Sequence, residues 1–415
     1  MNSSVIFYGA GKYAHANLSR WLSDGLMPVC FADADDCKYY QSITASTGEE
    51  FKILPLFEAL YLYPDADLIM TVMPRSYSDV FDYLVEQGVA KSRICEPKGN
   101  RGNADSSWHC EYIGRYLVLD GLGIKTCCEE QMVNIPSTGL ISEDIERYYE
   151  YCENLRQRLN MGQITSCIGC HMMKAGTDNE ELAINAINLS TGLPGGDKCN
   201  FRCCYCTYGQ TLGACCARKD NILEILEYVA ENMKIKHLTY ACGEITVSPF
   251  RKEILRLWKR QSWGGTLLTN GSIYMGEIAD LLSDGLVFLN VSVDAGTPET
   301  FAKIKNVDCY QKVVKNLKRY SEAGKVELKY IVLEGINDNA ANIDGFTEIA
   351  KSINADVLIS RDNRCINTPL TMSEYKAVQK IAQNCIAEGL DYNLLYNLSY
   401  MNKDHERLKM DGLIV

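Results

Sequence analysis

Short apolar runs of strand length alternate along this chain with longer segments in which apolar residues recur every three or four positions. The opening stretch, "SSVIFYGAGKYAHANLSRWLSDGLMPVCFADAD", reads as apolar strand, glycine turn, helix and apolar strand, the first pieces of a βαβ unit. "ADLIMTVM" adds a strand and "SYSDVFDYLVEQG" a helix, which carries the pattern to about residue 98. Turn formers crowd "PKGNRGNADSS", residues 97–107, and mark a domain boundary. "RYLVLDGLGIKTCC" predicts a hairpin, and a helix is expected from about Ser142 to Asn160. From about Glu181 to residue 361 the strands "LAINAINLS", "KHLTYACGE", "GGTLLTNG", "GLVFLNVSVD", "KVELKYIVLEG" and "ADVLISR" alternate with helices such as "NILEILEYVAENMK" and "DGFTEIAKSI". Strands separated by helices imply a parallel sheet, which right-handed crossovers wind into a barrel or an open α/β layer. The helix "MSEYKAVQKIAQNCIAEG" and an irregular tail follow.

The expected class is therefore α/β. The expected divisions are an N-terminal α/β domain at 1–98, a small cysteine-rich module at 106–180, the main α/β domain at 181–365, and a C-terminal helix and tail at 366–415. At 415 residues, two or three domains is the natural expectation. A net charge of -11 argues against sequence-independent nucleic-acid binding, which needs excess Lys and Arg. No apolar run approaches the roughly 18 residues that span a bilayer, and the opening lacks a signal peptide's charged start and cleavage site. The expectation is a cytoplasmic protein that binds neither membrane nor nucleic acid.

Nineteen cysteines against five histidines change the picture. In a long chain without a signal they point to metal or redox chemistry, with thiolates as the main ligands. "GGDKCNFRCCYC", residues 195–206, holds Cys199, Cys203 and Cys206 in a C-x3-C-x2-C pattern just after the first strand of the main domain. That places them at the mouth of the sheet, where such folds bind ligands. Three thiolates can hold three irons of a [4Fe-4S] cluster and leave the fourth open. A structural zinc normally asks for four ligands in matched pairs. Cys204 between the ligands would leave one spacing too short for a cubane, and Cys215 and Cys216 read as buried filler.

With Tyr205 before the last cysteine, this motif resembles the radical S-adenosylmethionine (radical SAM) superfamily. The resemblance implies a partial (β/α)6 radical SAM barrel, and it extends over about residues 183–361. "ACGEITVSP" corresponds to the family's G-G-E-type turn, with Cys242 in place of the first glycine and Gly243 and Glu244 as cofactor contacts. "LLTNGS" offers Thr269 and Asn270, "NVSVDAGTPETF" offers Ser292 and Asp294, and "KYIVLEGINDN" offers Val332 near the adenosine. The implied cofactors are a [4Fe-4S] cluster and S-adenosyl-L-methionine, which together yield a 5′-deoxyadenosyl radical. Candidates for an acid, base or hydrogen donor include Tyr and Cys side chains and Arg361, with no single residue singled out.

A second set of thiols lies upstream: Cys110, then Cys127 and Cys128 after the hairpin, then Cys167 and Cys170 in C-x2-C. Two pairs can converge on one metal. The arrangement resembles the twitch and SPASM auxiliary-cluster modules, although it precedes the main domain where those modules follow it. The implied second [4Fe-4S] cluster is held by Cys110, Cys127, Cys167 and Cys170, with Cys128 able to replace Cys127; zinc on the same thiolates is the alternative. His109 and His171 flank the set.

Near the N-terminus Gly9, Gly11 and Ala14 occupy the positions of a G-x-G-x-x-A turn, and Asp33 ends the next strand. Such glycines let a backbone approach a phosphate, and such an aspartate accepts from a ribose. A turn that serves packing only is the competing reading. The segment resembles small Rossmann domains of sugar-modifying transferases. Taken together, the expected function is a radical SAM oxidoreductase, epimerase or related enzyme acting on a small polar metabolite, such as a sugar or nucleotide sugar. The auxiliary cluster would pass electrons, and flavodoxin or ferredoxin would donate them. A peptide-modifying maturase is the alternative; an iron-sulfur sensor is the third.

Overall fold

β1 (Val5–Tyr8) and β2 (Pro28–Asp33) are almost wholly apolar because the sheet they enter is covered on both faces. The structure, a computed structural model, describes residues 4–23, 25–72, 76–95, 107–127, 134–161, 167, 172–206, 217–366, 368–398 and 402–413. Two compact units result: Met1–Gly114 with Thr126–Asn134 and Tyr148–Leu182, and Arg115–Lys125 with Ile135–Arg147 and Ala183–Val415.

In the first unit β3 (Ser42–Thr44), β4 (Glu50–Pro55), β5 (Asp67–Met70) and β6 (Ile94–Cys95) complete a six-stranded sheet ordered β3-β4-β2-β1-β5-β6. It is parallel except for β3, which pairs antiparallel with β4. Alternate residues feed two cores. Ile6, Tyr8, Ala32, Leu68 and Met70 pack on one side. Phe7, Phe31 and Ile69 pack with Ala14, Leu18 and Trp21 of the helix Lys12–Ser23 on the other. Phe7 meets Trp21 and Phe31 edge-on, at 5.5 and 5.4 Å between centroids. β3 and β4 were not anticipated: their outward positions are polar, which hides the strand pattern.

Also in this unit, β7 (Trp108–His109) pairs antiparallel with β11 (Lys174–Ala175). In the second unit a ten-stranded sheet runs β10-β9-β8-β12-β13-β14-β15-β16-β17-β18. Its strands are β8 (Tyr116–Leu119), β9 (Gly123–Lys125), β10 (Asn134–Pro136), β12 (Ala186–Leu189), β13 (His237–Tyr240), β14 (Gly264–Thr269), β15 (Val287–Ser292), β16 (Val326–Val332), β17 (Asp356–Arg361) and β18 (Tyr392–Leu394). The six expected strands, β12 to β17, stand side by side in chain order and parallel. This is the open, partial barrel expected. Tyr330 packs edge-on against Phe346 of the helix Ala340–Ser352, so Leu328 and Tyr330 face the helix layer. Glu327 and Lys329 therefore face the opposite, inner side.

Two expected boundaries change. The hairpin of β8 and β9 forms, its turn held by Leu122 and Gly123 amides donating to Asp120 Oδ1 at 2.9 Å each. However, β8 is apolar and pairs parallel with β12, Tyr116 opposite Ala186, so 115–125 belongs to the large sheet and not to a separate 106–180 module. At the other end, the helix Met372–Glu388 is a crossover leading to β18, which extends the sheet past residue 365, and the helix Asn402–Met410 follows. Arg361 is also placed differently from expectation. It faces this crossover helix, where its guanidinium donates to both oxygens of Glu374 at 3.0 Å and to Thr368 O at 2.7 Å. A cavity of about 390 Å³ lies at the N-terminal ends of β16 to β18, lined by Lys325, Asp356 and Asp391 among others, away from the cysteine loop. No helix among the described residues is long and apolar enough to cross a membrane.

Candidate metal centre

The loop after β12 carries the three cysteines, and its backbone is pinned at three points. Glu244 N donates to Lys198 O at 2.8 Å, ahead of Cys199. Cys204 N donates to Ile304 O at 2.9 Å, and Phe201 packs edge-on against Phe301 with centroids 6.1 Å apart. Tyr205 Oη donates to Asp294 Oδ2 at 2.7 Å and accepts from Lys305 Nζ at 2.7 Å. Between these pins Cys199 is exposed and Cys203 and Cys206 are half-buried. Burial is the largest influence on Cys203, pushing its thiol up to about 11. Ligation to a cation offsets such a penalty on the thiolate. Three thiolates on one loop are a soft donor set that suits an iron-sulfur cluster. Cys204 is exposed, and Cys215 and Cys216 lie outside the described residues.

The turn beneath the loop explains its glycine. Gly243 has φ +46°, and a Cβ there would sit 2.4 Å from Gly196 O and 2.6 Å from Lys198 O. Cys242 points inward, almost fully buried, and burial pushes its thiol up to about 12. Glu244 is buried and its oxygens are occupied: Oε1 accepts from Thr246 N, Thr246 Oγ1 and Thr269 Oγ1, and Oε2 accepts from Asn270 N at 2.6 Å. Asn270 reaches on to the loop, its Nδ2 2.8 Å from Asn200 Oδ1 and 3.9 Å from Cys199 Sγ. Glu244, Thr269 and Asn270 thus form one chain of contacts ending at a candidate ligand.

Asp294 has φ +59° and is fully buried. Besides Tyr205 and Lys305, it accepts from Ile331 N at 2.7 Å through Oδ1. Its backbone carbonyl accepts from Asn337 Nδ2 at 2.8 Å. Its carboxylate is therefore committed to holding the cysteine loop. Ser292 lies half-buried on the inner side of β15, and Val332 is buried in the sheet. Lys305 and Asn337 were not foreseen. Lys305 closes a helix whose pattern reads as solvent-facing there, and Asn337 sits in a polar turn, so neither position carries a local signal.

In the first unit the β7–β11 pairing sets His109 opposite Lys174. That sets the chain just before Cys110 alongside Lys174 and Ala175. Cys110 is buried and Cys127 and Cys167 are half-buried. Cys128, Cys170 and His171 lie outside the described residues.

At the N-terminal turn Gly9 has φ +107°, and a Cβ would meet Val72 at 2.4 Å, while Gly11 has open space. Asp33 Oδ2 accepts from Ala10 N at 2.7 Å and from Lys38 Nζ at 3.0 Å, and Oδ1 from Asp35 N at 2.9 Å. The aspartate thereby fastens the glycine turn itself.

Residues 193–344 match the model of the Radical SAM superfamily. A GTP 3',8-cyclase of Desulforamulus reducens is 28% identical over 188 residues, which are 42% of this chain and 54% of that protein. A probable GTP 3',8-cyclase of Saccharolobus islandicus is 31% identical over 133 residues, 32% of this chain and 43% of that protein. The chain spans about half the length of these curated relatives. The structure of Streptococcus suis SuiB bound to S-adenosylmethionine aligns with 10% identity and a TM-score of 0.39, covering 69% of this chain and 71% of SuiB. The family's cofactors are a [4Fe-4S] cluster and S-adenosylmethionine. Cys199, Cys203 and Cys206 stand near the head of the span that matches the Radical SAM superfamily.

Proposed function

We propose that the protein cleaves S-adenosylmethionine reductively and abstracts hydrogen from a small polar metabolite. The observation that carries this reading is the loop of three thiols pinned at the C-terminal mouth of the parallel sheet, within the matched span. When bound, the cluster and S-adenosylmethionine supply a 5′-deoxyadenosyl radical that attacks a C–H bond. The chain's own residues bind and orient. Cys199, Cys203 and Cys206 would hold three irons, and Tyr205, Asp294 and Lys305 fix the loop that presents them. Gly243 lets the turn approach that loop, and Glu244 sets Asn270 beside it. Tyr205, Gly243, Glu244, Thr269, Asn270, Ser292, Asp294 and Val332 are the residues proposed to shape the S-adenosylmethionine site, the buried ones among them by positioning.

Within small polar metabolites, a nucleotide or nucleotide sugar is the proposed class. The likeness to proteins named for a reaction on GTP supports it. Cys110, Cys127, Cys167 and Cys170 are proposed to hold a second [4Fe-4S] cluster that exchanges electrons with the substrate, with flavodoxin or ferredoxin as donor in a reducing cytoplasm. The test is anaerobic reconstitution, reduction with dithionite and chromatography for 5′-deoxyadenosine, in the presence of GTP, nucleotide sugars or short peptides. Stimulation by a nucleotide supports the reading, and stimulation by peptides alone transfers it to peptide modification. Absence of 5′-deoxyadenosine, or zinc bound at the loop, overturns it.

A further inference from the structure

The inner side of β15 and β16 carries a polar patch outside the thiol loop. Register sets Asn290 beside Glu327 and Ser292 beside Lys329. In a parallel pair such partners point to the same side, with strands ~4.8 Å apart. Asn290 donates Nδ2 to Glu327, and its Oδ1 is buried without a partner among the described residues. On the far side Lys329 neighbours Leu358 of β17. Three charged groups surround it. Asp294 is committed to Tyr205, Lys305 and Ile331 N; Lys305 is paired with Asp294; Glu327 lies two residues nearer the start of the strand. Among the described residues the Lys329 ammonium has neither hydrogen bond nor ion pair, and burial lowers its pKa. A cation turned into a sheet's concave side without a partner is poorly solvated unless an anion meets it.

We propose that Lys329 binds an oxyanion of the substrate, a carboxylate or a phosphate, on the inner side of the sheet. This rests on the small-metabolite reading and narrows it to anionic substrates. The geometry suits the role. A lysine donates as a point charge to either oxyanion. The patch lies below the thiol loop, so an anchored anion would leave the rest of a substrate directed toward the mouth of the sheet.

The experiment is calorimetric titration of the reconstituted full chain with pyrophosphate and with glutarate as probes, and separately with S-adenosylmethionine. Lys329→Ala is expected to weaken one of the anions at least about tenfold, and Lys329→Arg to keep it within about threefold. S-adenosylmethionine affinity should stay within about twofold. Loss confined to pyrophosphate assigns phosphate, and loss confined to glutarate assigns carboxylate. If the alanine variant fails to fold, Lys329→Met provides the same comparison at nearly the same length. The proposal is overturned if neither anion binds the parent protein, if both bind the variants equally well, or if only S-adenosylmethionine weakens. Failure of the enzymatic reading appears separately, as absent 5′-deoxyadenosine, and leaves the anion titrations interpretable.

Discussion

Asp294 and Lys305 form an ion pair with side chains 0% and 1% exposed, and Tyr205 of the cysteine loop hydrogen-bonds to both. The loop therefore hangs from a buried charge pair that touches no solvent. Removing one partner leaves the other charged and uncompensated, at a cost of about 3–5 kcal/mol.

Lys305→Met is accordingly expected to lower the unfolding free energy by about 3–5 kcal/mol, read by urea denaturation. Tyr205→Phe removes only the link to the loop. It should cost about 1–2 kcal/mol, because Asp294 and Lys305 keep each other, and should lower iron loading more than stability. Equal stability losses in the two variants would deny the loop-anchoring role.

Gly243→Ala tests the turn under the loop. The new methyl would stand 2.4 Å from Gly196 O in a left-handed conformation. Left-handed backbone alone costs an alanine about 1–2 kcal/mol, and the clash must be relieved by moving the loop. The variant should fold less stably and take up little iron. Gly276→Ala is the control: it sits at the start of the helix Gly276–Ser283 with nothing within 4 Å of its Cβ, and it should be neutral or slightly stabilising. Normal iron content in Gly243→Ala would show that the loop does not need this close approach.

The order of β12 to β17 was legible because apolar runs and amphipathic helices alternate regularly there, and parallel strands follow one another by short crossovers. The place of β8 was not, because its partner β12 lies about 70 residues on and nothing local names it. The candidate ligand triplet was marked by its spacing, and the structure sets its three thiols on one loop. The support beneath it was not so marked. Asp294 read as a polar residue at a strand end facing the cofactor, yet a positive φ turns its carboxylate into the protein, where it meets a lysine whose hydropathy suggests solvent. Such buried pairs are three-dimensional coincidences of chain segments, and hydropathy assigns each member to the surface.

Cys30, Cys152, Cys242 and Cys385 predict the protein's behaviour in alkali. Burial pushes their thiols up to about 12, 11, 12 and 12 from an ordinary 9.0. The unfolded chain releases these protons near pH 9, while the folded chain retains them to pH 11 or 12. Stability from keeping them neutral is thus complete below about pH 9 and declines as pH rises through the folded values. The decline per thiol is about 1.4 kcal/mol per pH unit. Urea midpoints at pH 8, 9.5 and 10.5 should fall progressively. At pH 8 iodoacetamide should label exposed Cys37 and leave these four unlabelled until denaturant is added. Rapid native labelling of the four would refute their enclosure.

Cys110→Ala tests the second thiol set. The strand pair of His109 with Lys174 ends at Cys110, which is buried. Two cubanes give about eight irons per chain and one gives about four. The parent protein is expected near eight, with Cys110→Ala near four, and Cys199→Ala should also fall to about four by losing the other cluster. The double variant should then hold almost none. These three counts separate the alternatives. Zinc in place of the second cluster would give about four irons and one zinc in the parent, and Cys110→Ala would release the zinc without touching the iron. If Cys110→Ala retained the parent's full iron and zinc, the β7–β11 pairing would be a structural clasp and the second set would not be a metal site.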